Sequence, residues 1–196
     1  MRGWQYVGED PTLVDRFDGE PFGKGDRRRA RNVLTGQESG RHFTAFDYSY
    51  DTHSTNSKGH RTTTTHRFGV CVVPLPVPLG RVEVLPEDVF TTMAGAVGLM
   101  ADLDLESEDF NRRFRVRATD AKLASDVLTP RTMHYLLSAD PEAWRIEGAQ
   151  LLSWHPGRLD PAEVVRTCAV LDRVLDGIPS FVWRDAGLPT GYDPAP

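Results

Sequence analysis

The chain has 196 residues, which is enough for one sizeable hydrophobic core but too few for two full domains. Its composition, 39% hydrophobic and 26% charged, is that of an ordinary globular protein and argues against a fibrous, disordered or disulfide-stapled chain. The formal net charge of −5 argues against a domain whose main task is nucleic-acid binding, because such surfaces carry an excess of Lys and Arg.

The first half of the chain has the alternation typical of β-strands. Residues 1–27 are predicted to form an N-terminal extension, with a short helix that begins at Asp10 and Pro11. After it we predict three antiparallel strands, at residues 30–35, 42–50 and 62–73. The third strand is predicted to end at a run of prolines, because proline lacks the donor N–H that a ladder needs: Pro74, Pro76 and Pro78.

The second half mixes shorter strands with helices. The predicted elements are a strand at 81–85, a buried or irregular helix at 86–100, a strand at 110–118, helices at 119–127 and 129–139, and a hairpin at 144–154. Residues 186–196 are rich in Gly and Pro and are predicted to form a flexible tail.

The clearest helix signal comes at residues 160–177. Asp160 and Pro161 suit the N-cap and first helical positions. Apolar side chains then recur at helical spacing: Val164, Cys168, Leu171 and Leu175. Because strands come first and helices follow, the pattern predicts an α+β fold with an antiparallel sheet of about five to seven strands packed against this C-terminal amphipathic helix. Residues 1–185 are predicted to be a single domain.

The densest polar segment, residues 47–66, combines imidazoles with carboxylates. If His53 pairs with His60 across a hairpin, Asp47 lies opposite His66, and the polar groups share one face. Imidazole and carboxylate are suitable zinc ligands, so this register permits a ligand or metal site. The alternative is a solvated hairpin tip with ordinary cross-strand pairs, and no metal or cofactor is predicted. The candidate ligand-binding residues are Asp47, Asp51, His53, His60 and His66.

A basic patch lies at residues 24–31 and contains Arg27, Arg28, Arg29 and Arg31. It is interpreted as the solvated face of a first strand, and the alternative is a contact with phosphate or anionic lipid. The neighbouring Gly23-Lys24-Gly25-Asp26 lacks the Lys-Ser/Thr ending of a phosphate loop and is interpreted as a flexible connection.

The sequence contains no catalytic signature. Gly-x-Ser-x-Gly does not occur, and Cys71 and Cys168 lie in apolar runs, which predicts buried thiols in a reducing compartment. An aromatic stripe, Phe46, Tyr48 and Tyr50, could bind a ligand but is predicted to be buried under the C-terminal helix. The chain also contains no long apolar run and no secretion leader, so we expect a cytoplasmic domain.

Three short segments carry a resemblance: Arg2-Gly3-Trp4-Gln5-Tyr6, Pro21-Phe22-Gly23 and Phe46-Asp47-Tyr48-Ser49-Tyr50. Over most of its length, up to Trp183, the chain resembles a group of uncharacterised actinobacterial proteins of unknown function. Members often carry a membrane anchor upstream of the Arg-Gly-Trp segment, which implies that this chain is the cytoplasmic part of a longer protein. The resemblance brings no activity and no catalytic residue.

The leading functional hypothesis is therefore a non-enzymatic binding or scaffolding domain, with a protein or an unknown small ligand as its partner and with a location at the inner face of the cell membrane. The alternative is an enzyme or ligand-binding domain that uses the His/Asp hairpin, with or without a metal.

Overall fold

A computed structural model describes residues 3–87, 89 and 100–189. Within this part the protein has a seven-stranded antiparallel sheet and five α-helices, which confirms the α+β prediction. In chain order the elements are β1 Gln5–Glu9, a 3₁₀ turn Pro11–Leu13, β2 Asp26–Glu38, β3 Arg41–Thr55, β4 Arg61–Pro86, β5 Ala101–Leu103, α1 Glu108–Arg113, β6 Phe114–Ala118, α2 Ala121–Val127, α3 Pro130–Ala139, β7 Ala143–Pro156, α4 Pro161–Gly177 and α5 Ser180–Asp185.

The sheet is organised around β4, which is 26 residues long. Its first half pairs with β3 and its last residues pair with β6, while β7 pairs with it from Phe68 to Val84. Beyond β3 the order continues through β2 to β1, and beyond β6 it ends at β5. No strand was predicted for Gln5–Glu9, which forms the edge strand β1 with five exposed residues.

Both faces of the sheet are covered by other parts of the chain, and each face contributes to a separate hydrophobic core. On one face the helices pack on alternate strand residues such as Phe43, Cys71 and Trp144, and we call this the helix-side core. Residues 10–25, here named the N-terminal segment, cover the other face, the segment-side core. The terminal helix α4 has the predicted caps, and its apolar residues Val164 and Leu171 are buried in the helix-side core.

The aromatic stripe is buried as predicted, but its predicted cover is wrong. Phe46, Tyr48 and Tyr50 lie on the face opposite α4, and the N-terminal segment covers them. Phe17 stacks on Phe46 with 6.1 Å between ring centroids, and Phe22 lies 4.7 Å from Tyr48. The prediction failed because alternation identifies which residues share a face but does not say what covers that face.

The prolines do not end the third strand. β4 passes through Pro74, Pro76 and Pro78, and the segment predicted as a separate strand at 81–85 is its continuation. The ladder to β7 shifts register between Pro74 and Leu79 and again before Val82. The strand therefore accommodates the prolines, which have no backbone N–H to donate, at an irregular part of the ladder.

Two further predicted elements differ. The hairpin at 144–154 is instead one continuous strand, β7, in which Gly148 has a positive φ of 58° beside the register shift. Residues 110–113 are helical rather than extended, because the Ser107 side chain caps α1 by accepting from the Phe110 N–H. The predicted helix at 86–100 and the tail at 186–196 lie largely outside the described residues.

A row of alternating charges crosses four strands on the segment side. Arg145 on β7, Glu83 on β4, Arg117 on β6 and Asp102 on β5 are successive cross-strand neighbours. Arg145 is fully buried between the rings of Phe22 and Trp154, and burial lowers the pKa of its guanidinium. It donates to Glu147 and to the carbonyls of Asp18 and Glu20, so it fastens the N-terminal segment to the sheet.

Candidate functional site

The β3–β4 hairpin has a register shifted by three residues from the predicted one. His53 lies opposite Thr63, not His60, and Asp47 lies opposite Gly69, not His66. A tight turn sets this register, because the Asn56 carboxamide accepts from the N–H groups of Lys58 and His60, each at 3.0 Å. The strands therefore continue to Thr55 and Arg61, where the sequence predicted a longer loop.

A shift by an odd number moves one strand's side chains to the other face of the sheet. Asp47, Asp51 and His53 project on the helix side, whereas His66 projects on the segment side, and His60 lies in the turn beyond the last ladder pair, Thr55 and Arg61. The structure thus does not bring the five candidate residues together on one face. Among the described residues, no three His, Cys, Asp or Glu side chains lie together as a metal would require.

The two histidines within the hairpin ladder, His53 and His66, each have local partners. His53 Nδ1 lies 2.9 Å from the Thr63 hydroxyl, and its Nε2 lies 3.6 Å from Asp26. His66 Nε2 lies 2.9 Å from the Thr52 hydroxyl, and its ring stacks on Tyr50 at 4.8 Å. These pairs are cross-strand neighbours of the ordinary kind. Ligand binding by the five residues stays a prediction.

Asp47 and Asp51 line a groove with the basic patch. The groove encloses about 370 Å³ on the helix side, beyond the N-terminal end of α4. We call it the arginine groove, because five arginines line it: Arg27, Arg29, Arg31, Arg67 and Arg158. The sequence prediction included the first three, while Arg67 and Arg158 were missed. Strand alternation could have placed Arg67 on this face if the register of the hairpin had been predicted correctly.

The sheet positions two of these arginines in one cross-strand row. Arg29 on β2 lies opposite Ser49 on β3, and Ser49 lies opposite Arg67 on β4. Neighbouring strands are roughly 4.8 Å apart, so the two arginines flank a small hydroxyl side chain with open space above it. Arg158 comes from the loop before α4, and the Leu159 N–H donates to Asp47 at 2.6 Å to fix that loop on the sheet.

The charges in the groove are only partly compensated. Arg27 lies 4.0 Å from Asp51, and Arg31 lies 3.4 Å from Glu9. Arg29, Arg67 and Arg158 are exposed, and within residues 3–87, 89 and 100–189 none of them forms an ion pair. The groove therefore keeps a positive potential on a protein whose net charge is −5.

A larger groove lies on the segment side and encloses about 700 Å³. Its polar lining is mostly neutral: Gln5, Thr35, Gln37, Thr44 and Gln150. After reorientation of its amide, Gln150 accepts from Arg16 at 2.8 Å, so the groove's arginine already has a partner. Size alone does not select a ligand, and this lining has no concentrated charge or paired catalytic groups.

The two cysteines do not form a reactive site. Cys71 and Cys168 are both buried in the helix-side core with their Sγ atoms 3.6 Å apart. The hydrogen bond with Cys168 and burial raise the pKa of the Cys71 thiol well above its ordinary value. A thiol with a raised pKa is a poor nucleophile, which agrees with the interpretation of buried hydrophobic residues.

The Gly23-Lys24-Gly25-Asp26 segment also has a structural role. Gly25 has a positive φ of 61°, and a Cβ there would overlap the backbone of Asp51. Lys24 pairs with Glu20, one turn before it. The glycine thus allows the chain to enter β2 close to β3.

Comparison with known proteins identifies a fold and no family. No family model matches the chain, and no curated protein matches it. The crystal structure of the mycobacterial trehalose monomycolate transport factor A, TtfA, is similar, with a TM-score of 0.62 and 18% sequence identity. The similarity covers 90% of this chain and 89% of that one. At this identity it shows a shared fold.

In the described part of the chain, no helix combines the length and apolar character that crossing a membrane requires. The longest, α4, has 17 residues and alternates buried and exposed positions.

Proposed function

We propose that this protein is a non-enzymatic binding or scaffolding domain that works at the cytoplasmic face of a membrane and contacts an anionic partner through the arginine groove. The single observation that carries the proposal is the concentration of five arginines in one groove, three of them without an ion pair in the described chain. Clustered arginines near a membrane surface attract anionic lipid headgroups.

The fold is also compatible with a binding domain at a membrane. The structural neighbour is named a trehalose monomycolate transport factor, and the similarity covers 89% of its chain. The resemblance to actinobacterial proteins with an upstream membrane anchor points to the same place in the cell. A non-enzymatic binding domain is compatible with both.

The alternative, an enzyme or metal-binding domain built on the hairpin, has less support. The hairpin register places His66 on the face opposite Asp47, Asp51 and His53, and His60 lies in the turn. Catalysis by a His/Asp pair requires the two groups within hydrogen-bond reach of one substrate. We therefore place the binding function in the groove, where only Asp47 and Asp51 of the predicted set contribute.

A vesicle flotation experiment tests the proposal. The purified full chain is mixed with vesicles of neutral phosphatidylcholine or of phosphatidylcholine with anionic lipid. We expect binding to the anionic vesicles only, and we expect it to weaken as salt increases. Because each arginine near such a surface contributes about 1 kcal/mol, a variant with Arg29→Glu, Arg67→Glu and Arg158→Glu should bind more than about a hundredfold more weakly.

The matched control reverses three charges on the exposed surface of the helices: Arg131→Glu, Arg166→Glu and Arg173→Glu. This variant has the same net charge as the groove variant. Equal binding of the two variants would show that net charge governs binding, and the groove would lose its role. Binding of the native chain to neutral vesicles would contradict the electrostatic contact.

A further inference from the structure

The arginine groove contains a niche with the shape of an anion site. In the row Arg29, Ser49 and Arg67, the central residue is small, and its hydroxyl makes no side-chain hydrogen bond with the residues that the structure describes. Two guanidinium groups and one O–H donor therefore border the same open space. Arginine donors of this kind match the oxygens of a tetrahedral oxyanion in geometry as well as in charge.

The carboxylates of the groove have protein partners. Asp47 accepts from the Asn32 amide at 2.8 Å and from the Leu159 N–H. Asp51 accepts from the Thr65 hydroxyl at 2.7 Å. These two groups order the walls of the groove, which leaves the unpaired arginines available to a ligand.

The charge of the groove indicates how much negative charge would neutralise it. Five guanidinium groups and two carboxylates line it, which is an excess of three positive charges, and two carboxylates at its rim lower this excess: Glu9 beside Arg31 and Asp26 opposite Asp51. The groove remains net positive. A phosphate monoester has a charge of about −1.5 to −2 at neutral pH and three terminal oxygens, whereas a phosphodiester has a single negative charge.

We propose that the arginine groove is a phosphate monoester site in which Arg29 and Arg67 hold the terminal oxygens across Ser49, and Arg158 closes the niche from the α4 side. This inference rests on the proposed function, since it names the anion that the groove recognises. The monoester can belong to a lipid headgroup or to a soluble metabolite, and both present the same dianion.

Titration of the full chain, followed by NMR chemical shifts or calorimetry, tests the soluble form. The probes are inorganic phosphate, glycerol 3-phosphate and, as the diester, dimethyl phosphate. We expect the first two to bind at least about tenfold more tightly than the diester. Binding of the monoester should weaken as the pH falls through about 6, where phosphate gains a proton while the arginines stay charged.

Variants locate the site. Arg29→Gln with Arg67→Gln should weaken glycerol 3-phosphate binding at least about tenfold, and Arg131→Gln with Arg166→Gln should leave it unchanged. Circular dichroism verifies that both variants are folded. Equal affinity for monoester and diester, or native affinity in the groove variant, would overturn the inference.

Vesicle binding distinguishes a lipid headgroup from a soluble metabolite as the ligand, and it tests the monoester site independently of the membrane proposal. We expect phosphatidic acid, a monoester, to bind more tightly than phosphatidylglycerol, a diester, at equal surface charge. Equal binding to both lipids would refute the monoester site and leave the membrane proposal intact. Binding of soluble monoester without binding to either vesicle would support the site, identify a soluble ligand, and refute the membrane proposal.

Discussion

At the scale of single residues, the close approach of His155 to the sheet depends on a glycine. Gly69 lies directly opposite His155 in the β4–β7 ladder and opposite Asp47 on its other side. A Cβ on Gly69 would overlap the imidazole ring, whose Nε2 lies 3.5 Å from Glu163 on α4. The glycine thus lets the start of α4 approach the strand that forms the groove wall.

We expect Gly69→Ala to lower the free energy of unfolding by about 1–3 kcal/mol, because the added methyl group must displace the His155 ring. Urea denaturation measures the loss. Gly8→Ala is the control, since a Cβ at that position contacts nothing within 4 Å. In a His155→Ala background the cost of Gly69→Ala should largely disappear, and an unchanged cost would contradict the steric explanation.

A second residue-scale effect concerns pH. Asp172 on α4 is buried, with Arg41 3.4 Å away, and burial raises the pKa of its carboxyl above the ordinary 3.8 although Arg41 opposes the shift. A raised folded-state pKa means that the folded protein binds this proton more tightly than the unfolded chain does. The carboxyl therefore adds stability below pH 3.8, and that stability is lost as the pH rises through the folded-state pKa.

We expect the free energy of unfolding of the native protein, relative to Asp172→Asn, to increase as the pH is lowered from 7 to about 4. Urea unfolding at several pH values measures this difference. Glu108→Gln, at an exposed position on α1, provides the reference for loss of one carboxyl. A difference that falls toward acid pH would show that the ion pair with Arg41 outweighs burial.

At the scale of elements, a buried cation, Arg145, connects the N-terminal segment to the sheet. Arg145 contacts the carbonyls of Asp18 and Glu20 and the carboxylates of Glu83 and Glu147. Removing a partner from a buried ionic network leaves charges without compensation, which destabilises a protein more than the intact network stabilises it.

We expect Arg145→Met to lower the free energy of unfolding by about 3–5 kcal/mol and to make residues 18–25 more susceptible to limited proteolysis. Arg166→Met is the control, because its ion pair with Glu163 is exposed and contributes less than about 1 kcal/mol. Native-like resistance to protease in Arg145→Met would show that the aromatic contacts of Phe17 and Phe22 suffice to hold the segment.

Some elements of the fold could be predicted from the sequence and others could not. The α4 helix and its caps were predictable because Asp160, Pro161 and the apolar spacing are local signals. The hairpin register was not, since it depends on one carboxamide, Asn56, and an error of three residues changed the composition of the site. The arginine groove joins residues from three strands and a loop, so local patterns indicated only its first part, Arg27 to Arg31.

At the scale of the whole molecule, two cores share one sheet. Leu151 and Leu152 are neighbours in β7, yet the first packs in the helix-side core and the second in the segment-side core. Because the strands belong to both cores, neither core can lose its packing without affecting the other. The chain is therefore expected to unfold in one cooperative transition.

We expect far-ultraviolet circular dichroism and tryptophan fluorescence to give the same urea midpoint. Leu171→Ala in the helix-side core and Leu152→Ala in the segment-side core should each lower the free energy of unfolding by about 2–5 kcal/mol for both probes. Two separate midpoints, or a variant that moves only one probe, would show that the cores unfold independently.

The far end of the β3–β4 hairpin lies beyond both cores. Past the pair Asp51 and Thr65, the described chain is a two-stranded ribbon, since β2 pairs with β3 only as far as Asp51. Such a ribbon is a suitable attachment site for a reporter group. A fluorophore attached at position 58 would lie on the exposed turn, away from the packed interior and outside the lining of the arginine groove.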